Sequence, residues 1–137
     1  NYQELDRIYF RVGKVAASLM ALLGACFLSG IIGLDLIDFR YANRFLPALP
    51  TALLIIGLWA ALIIEFQWVY LHAHGKSPYL AISLVGCVTS GLVIWWMGIR
   101  FGAIGVSAAF LLMHAIVYLP LSTWGWIHLR RNWHRNE

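Results

Sequence analysis

Four long apolar runs, separated by short polar breaks, divide the chain. Residues 15–34, VAASLMALLGACFLSGIIGL, carry no charge. A second run extends from Leu46 to Leu71, a third covers residues 79–99 and a fourth covers residues 102–127. Each approaches or exceeds the ~20 apolar residues that a helix needs to cross a bilayer. The breaks have their own chemistry. DLIDFRYANR at 35–44 is charged and is expected to be a water-exposed connection. HAHGKSP at 72–78 is a basic turn, with Gly75 as a stop and Pro78 as a restart signal. A lone Arg100 ends the third run, and the small-residue stretch GAIGVSAA opens the fourth. Pro47 and Pro50 fall in the first turn of the second run, where a missing N–H costs little.

The flanks complete the pattern. Residues 1–14 form a charged lead-in with Ile8, Tyr9 and Val12 at helical spacing, expected to enter the bilayer as an amphipathic helix. Residues 128–137 form a polar, basic tail. The expected fold is therefore all-α and integral to a membrane. Four transmembrane helices make up the domain at 15–127. Pro120 leaves the Ile116 carbonyl without its usual donor and predicts a bend in the last span.

Composition excludes the soluble alternatives. Charged residues are 12% of the 137 and hydrophobic residues 61%. A soluble domain carries about 25% charged residues. The net charge of +4 is no sign of nucleic acid, because the basic residues sit in short flanks beside the apolar runs. Four crossings put Arg7, Arg11, Lys14, Lys76, Arg130, Arg131 and Arg135 on one side, and Arg40, Arg44 and Arg100 on the other. That asymmetry predicts both termini in the cytoplasm. The aromatics agree. Trp68, Tyr70, Tyr79, Trp124 and Trp126 mark the inner interface, Tyr41, Trp95 and Trp96 the outer one, and Trp59 alone lies deep. Cys26 and Cys87 read as small buried hydrophobes. The start at Asn1, without a secretory signal, leads to the expectation that the chain is a piece of something longer.

Few residues offer chemistry. Glu65 is the one acid inside a span, with Trp68 and His72 on its helical face. Intramembrane carboxylates are usually functional, and an interfacial carboxylate bonded to a neighbouring helix is the plain alternative. In the fourth run Ser107, Leu111, His114, Tyr118 and Ser122 share one face, opposite Ala109, Leu112 and Ile116. That stripe predicts either a cavity lining or a polar helix–helix seam. Arg100 joins Glu65, Ser107, His114, Tyr118 and Ser122 as candidates for a substrate or proton pathway. The H-x-H pair of His72 and His74 has no acid or cysteine beside it, and the Asp35–Asp38 pair has no second acidic cluster, so no metal and no cofactor is expected. Ala17, Ala21 and Gly24, and separately Ala25 and Ser29, mark surfaces where helices can approach closely.

The E-F-x-x-x-Y-x-x-A-x-G-K-x-P-Y turn at 65–79, the G-x-x-G-V-S-A-A entry at 102–109 and the segment YANRFLPALPTALLI at 41–55 resemble the C-terminal end of polysaccharide flippases. These belong to the multidrug/oligosaccharidyl-lipid/polysaccharide exporter superfamily. The resemblance covers most of the chain as a texture of glycines, turns and span lengths. It implies a helical carrier of twelve to fourteen spans in a bacterial inner membrane. Such a carrier moves a polyprenyl-linked oligosaccharide by alternating access and is not an enzyme. About eight helices of it are absent here, and with them most of the family's charged cavity residues. Arg11-Val12-Gly13 also resembles the small four-span GtrA-like proteins, whose basic-aromatic signature between the second and third spans is missing. A complete small protein of that kind, or a non-catalytic membrane assembly subunit, is the alternative reading.

Overall fold

The computed structural model describes residues 2–37, 45–73 and 80–134. Helix α1 runs over Tyr2–Leu36, α2 over Ala48–Ala73 and α3 over Leu80–Leu112. A π-helical turn at Met113–Tyr118 follows, and α4 covers Leu119–His134. The loop at 38–44 and the basic turn at 74–79, with Gly75 and Pro78, lie outside the described residues, as does the end of the tail at 135–137. The lead-in is no separate element: α1 carries it straight into the first apolar run.

Helix α2 is the hub. Its Pro50, Thr51, Gly57, Ala60, Ile64, Gln67, Tyr70 and Leu71 are buried. Six of these, at 50, 57, 60, 64, 67 and 71, recur at heptad spacing along one stripe, while Leu58, Glu65, Val69 and His72 opposite are exposed. α1, α3, the π turn and α4 all pack against it. Proline at 50 fits because the first N–H groups of a helix have no intrahelical acceptor to lose. Thr51 occupies the same turn, and its hydroxyl donates to the Pro47 carbonyl at 3.0 Å. On one side α1 packs antiparallel. Gly24 faces Ile55 so closely that a Cβ there would stand 2.7 Å from its side chain. Tyr9 meets Tyr70 edge-on at 5.0 Å between ring centroids. Between these levels the indole N–H of Trp59 donates to the Ala17 carbonyl at 3.2 Å. The Ala17/Gly24 stripe is thus the α1–α2 seam. Ala25 and Ser29 are exposed, with no described helix against them, and the Ser29 hydroxyl turns back to the Ala25 carbonyl at 2.7 Å. Such self-bonding satisfies a hydroxyl that faces hydrocarbon.

Among the described residues three stretches are long and apolar enough to cross a membrane: Arg7–Leu36, Ala48–His72 and Ser83–Leu129. The sequence pattern leads one to expect four. The difference arises at Gly102, because the third and fourth apolar runs have no non-helical linker between them. Gly102 alone leaves helical geometry, at φ 60 and ψ −141. Only glycine adopts that region readily, since any Cβ would collide with the backbone. One residue is enough to reverse the chain. Tyr118 bonds to Gly86, which in an unbroken helix would lie about 48 Å away at 1.5 Å per residue. The return is tight. A Cβ at Gly98 would meet Val106 at 2.9 Å, and one at Gly105 would run into the Met97 carbonyl.

The bend expected from Pro120 takes the form of the π turn just before it. The Leu119 N–H reaches back five residues to the His114 carbonyl. The wider turn also keeps register with α2. Gly57 touches Phe110, and Gln67 bonds Ser122. Between those two levels the fold-back segment has two residues more than α2, about 3 Å of surplus rise if all were α-helical. The π turn takes up the surplus.

Cys26 and Cys87 are exposed, not buried as expected. Among the described elements α1 packs against α2 alone, so a small side chain on its other faces, such as Cys26, stays uncovered.

The turn gives a direct test. Gly102→Ala should lower stability by about 1–3 kcal/mol. Gly30→Ala, at a helical glycine with open space around it, should be neutral or stabilising by up to ~1 kcal/mol. Equilibrium unfolding in mixed micelles reads both; equal effects at the two positions would count against a glycine-dependent reversal.

Candidate intramembrane cavity

The fold-back borders an open cavity of about 470 Å³ between α2, the first half of α3 and the π turn with the start of α4. Its wall from α2 includes Glu65 and Trp68. Ser83, Gly86, Cys87 and Ser90 come from α3, and His114, Tyr118 and Ser122 from the fold-back segment. Four of the six candidates from the sequence therefore meet: Glu65, His114, Tyr118 and Ser122.

Each is held differently. The Tyr118 hydroxyl donates to the Gly86 carbonyl at 2.5 Å and lies 2.6 Å from Ser90 Oγ. With its own proton committed to Gly86, Tyr118 accepts from Ser90. Gly86 makes this possible, because its missing Cβ lets the ring approach to 3.1 Å of the position a Cβ would take. His114 Nδ1 lies 2.9 Å from the Phe110 carbonyl. A carbonyl only accepts, so Nδ1 carries a proton there and Nε2 is the ring nitrogen left for another partner. The ring sits between Phe110, at 4.1 Å, and Tyr118, at 5.7 Å between centroids. Ser122 donates to Gln67 Oε1 at 2.5 Å, and Gln67 Nε2 donates to Thr123 Oγ1 at 2.9 Å. Glu65 is exposed at the edge of the cavity. Below it on α2, His72 stacks on Trp68 at 5.8 Å, and its Nδ1 lies 3.0 Å from the Trp68 carbonyl.

The other two candidates lie elsewhere. Ser107 is fully buried at 0% exposure, and its hydroxyl donates to the Ala103 carbonyl at 2.9 Å. It packs the return of the chain instead of lining the cavity. Arg100 is exposed, with its guanidinium 4.8 Å from the centre of the Trp96 ring, a cation–π contact beside the Gly102 reversal. The face opposite the stripe is split as well. Ile116 is 65% exposed, while Ala109 is 0% exposed. The apolar face of the fold-back thus points outward only after the chain has left the turn.

Gln67, Ser90 and Thr123 carry much of the polar bonding, and the sequence pattern alone does not single them out. Gln67 is the one amide in the second apolar run, two residues after Glu65, and that was the available signal. Ser90 and Thr123 are hydroxyls at positions whose partners only the packing reveals. Among the described residues no group of three or more His, Cys, Asp or Glu could hold a metal ion. His74 lies outside the described residues.

The lining supplies hydroxyls, one imidazole and a carboxylate at the rim, together with apolar wall from Ala61, Ile64, Ile94 and Leu121. A largely apolar space of this size with a few polar groups on one wall has room for water or a ligand group beside those polar groups. Accessibility should follow. With Cys26 replaced by Ser, Cys87 should react with a small water-soluble thiol reagent. In a background lacking both native cysteines, Ser83→Cys should react too, whereas Ser107→Cys and Ile116→Cys should be at least about tenfold slower. Comparable rates at all four positions would mean that the cavity is not an aqueous compartment.

Comparison with known proteins finds no matching family model, no similar curated protein and no similar solved structure.

Proposed function

We propose that the chain is part of a membrane carrier, not an enzyme, that moves a polyprenyl-linked oligosaccharide across a bacterial inner membrane by alternating access. The observation that carries this reading is the cavity between α2, α3 and the fold-back. Hydroxyls, His114 and Glu65 face one space there, on helices otherwise apolar enough for lipid. Polar groups at such depth are expensive unless they serve a path. A sugar presents many hydroxyls. With the protons of Ser90, Tyr118 and Ser122 engaged within the protein, the wall offers them mainly acceptors, on its hydroxyl oxygens and on Glu65. The large apolar side chains left open on α1 and on the outer face of α3 suit a place within a wider helical bundle. The resemblance of 65–79 and 102–109 to polysaccharide flippases supplies the substrate class.

In this reading the chain crosses the bilayer four times, with the reversal at Gly102 on the outer side and both termini in the cytoplasm. The support is the antiparallel return of Tyr118 onto Gly86 and the distribution of basic residues. Reporter fusions after residue 76 and after Glu137 should read cytoplasmic, and fusions after residue 42 and at Gly102 external. An external signal at Glu137 would leave three crossings and end the four-span topology.

Transport has its own test. Gly91 lines the cavity with nothing within 4 Å of a Cβ built on it. Gly91→Trp should obstruct the space and cut translocation of lipid-linked oligosaccharide in membrane vesicles by at least about tenfold, a barrier of ~1.4 kcal/mol. Ile116→Trp, on the outward face, should leave it unchanged. Undiminished transport with Gly91→Trp would refute a path through this cavity.

A further inference from the structure

We propose that a second cleft, on the opposite side of α2, is a binding site for an anionic glycerophospholipid of the leaflet in which α1 begins. This inference rests on the membrane reading alone and is independent of transport through the larger cavity. The cleft has a volume of about 310 Å³ and lies between α1, α2 and α4. Its interior is apolar: Phe10, Ala17, Leu62, Ile63 and Phe66 face it. Gln67 closes one wall, and its amide is engaged by Ser122 and Thr123 and so is not open to a ligand.

The charge lies at one end only. Lys14 lines the cleft and is exposed, and it is the last charged residue before the uncharged run of α1. That puts it at headgroup level, with Ala17 one turn deeper. Arg7 and Arg11 precede it at i−7 and i−3 on the same helix, so the three cations share one face, and all three are exposed. The cleft thus has a basic ridge at its mouth and hydrocarbon-like walls below. An occupant must match both parts, with an anion at the interface and a long apolar tail beneath it. In a bilayer an anionic phospholipid meets that description and surrounds the site at high concentration. Each Lys or Arg near an anionic headgroup contributes about 1 kcal/mol, roughly a fivefold change in affinity. Gly13 is what leaves the cleft open. A Cβ there would rest 3.9 Å from the Phe66 ring in ordinary contact, so a larger side chain would fill the space without forcing the helices apart.

Native mass spectrometry of the intact protein released from detergent tests the site, with phosphatidylglycerol and phosphatidylcholine of matched chains offered together. The wild type should retain one phosphatidylglycerol in preference to phosphatidylcholine. Lys14→Gln should reduce that retention about fivefold, and the triple change Arg7→Gln, Arg11→Gln, Lys14→Gln should abolish the preference. Gly13→Leu should lower retention of both lipids with all three charges intact. Far-ultraviolet circular dichroism should show every variant with wild-type helicity. Glycerol 3-phosphate in excess should not displace the lipid, because the tail holds it as well as the head. Any of these outcomes would overturn the proposal: equal retention of the two lipids by the wild type, a preference that survives the triple change, or retention of both lipids untouched by Gly13→Leu. The last would mean diffuse attraction to the basic ridge with no bound chain. Displacement by glycerol 3-phosphate would equally overturn it, leaving a site for a free phosphate.

Discussion

In hydrocarbon a polar group must find its partner within the protein, and the hydrogen bonds between and along these helices answer that demand. Three strategies appear. Where a helix faces outward, a hydroxyl bonds back to its own helix, as Ser29 does to Ala25 and Thr89 to Val85. Where two helices meet, a side chain crosses to a backbone carbonyl, as Trp59 does to Ala17 and Tyr118 to Gly86. Where two polar side chains meet, they pair, as Gln67 does with Ser122 and Thr123. The apolar packing around α2 is non-directional. The crossed hydrogen bonds are what specify which helix lies where and at what register.

Glycine sets how closely those helices meet. Gly24 admits Ile55, Gly57 admits Phe110 and Gly86 admits Tyr118. Without a strong hydrophobic drive between helices in lipid, such close packing is a main source of association. Gly102 plays a different part, since its backbone and not its size makes the reversal. The π turn belongs to the same economy of length. It sits before Pro120, where the ladder of backbone bonds is broken anyway, and lets the returning segment match α2 at both Gly57 and Gln67.

The two clefts flank α2 on either side of the Gln67–Ser122–Thr123 bonds. One has hydroxyls, an imidazole and a carboxylate at its rim. The other is apolar with cations at its mouth. Their contrast follows from what faces each. The larger is bounded by two segments carrying hydroxyls at helical spacing. The smaller is bounded by the entry of α1, where the charged lead-in passes into the bilayer.

Much of this was legible in the chain alone. The lengths of the apolar runs decide that the protein is helical and membrane-compatible, because only a helix of about 20 residues satisfies its backbone across a bilayer. The rarity of polar residues inside those runs picks out Glu65, His114, Tyr118 and Ser122, since each is costly there without a purpose. Periodicity, however, gives only the face of one helix. It cannot say which other helix covers that face. That is why Ser107, on the same nominal stripe as His114, proves to be buried against the return of the chain, and why Arg100 rests on Trp96. Gln67 gains its role only from Ser122 and Thr123 arriving beside it, more than fifty residues along the chain. The same limit explains the exposed cysteines, whose surroundings depend on helices packed from elsewhere. The sequence sets which groups need partners. Only the fold-back at Gly102 and the central place of α2 decide who those partners are, because they bring distant segments to the same depth.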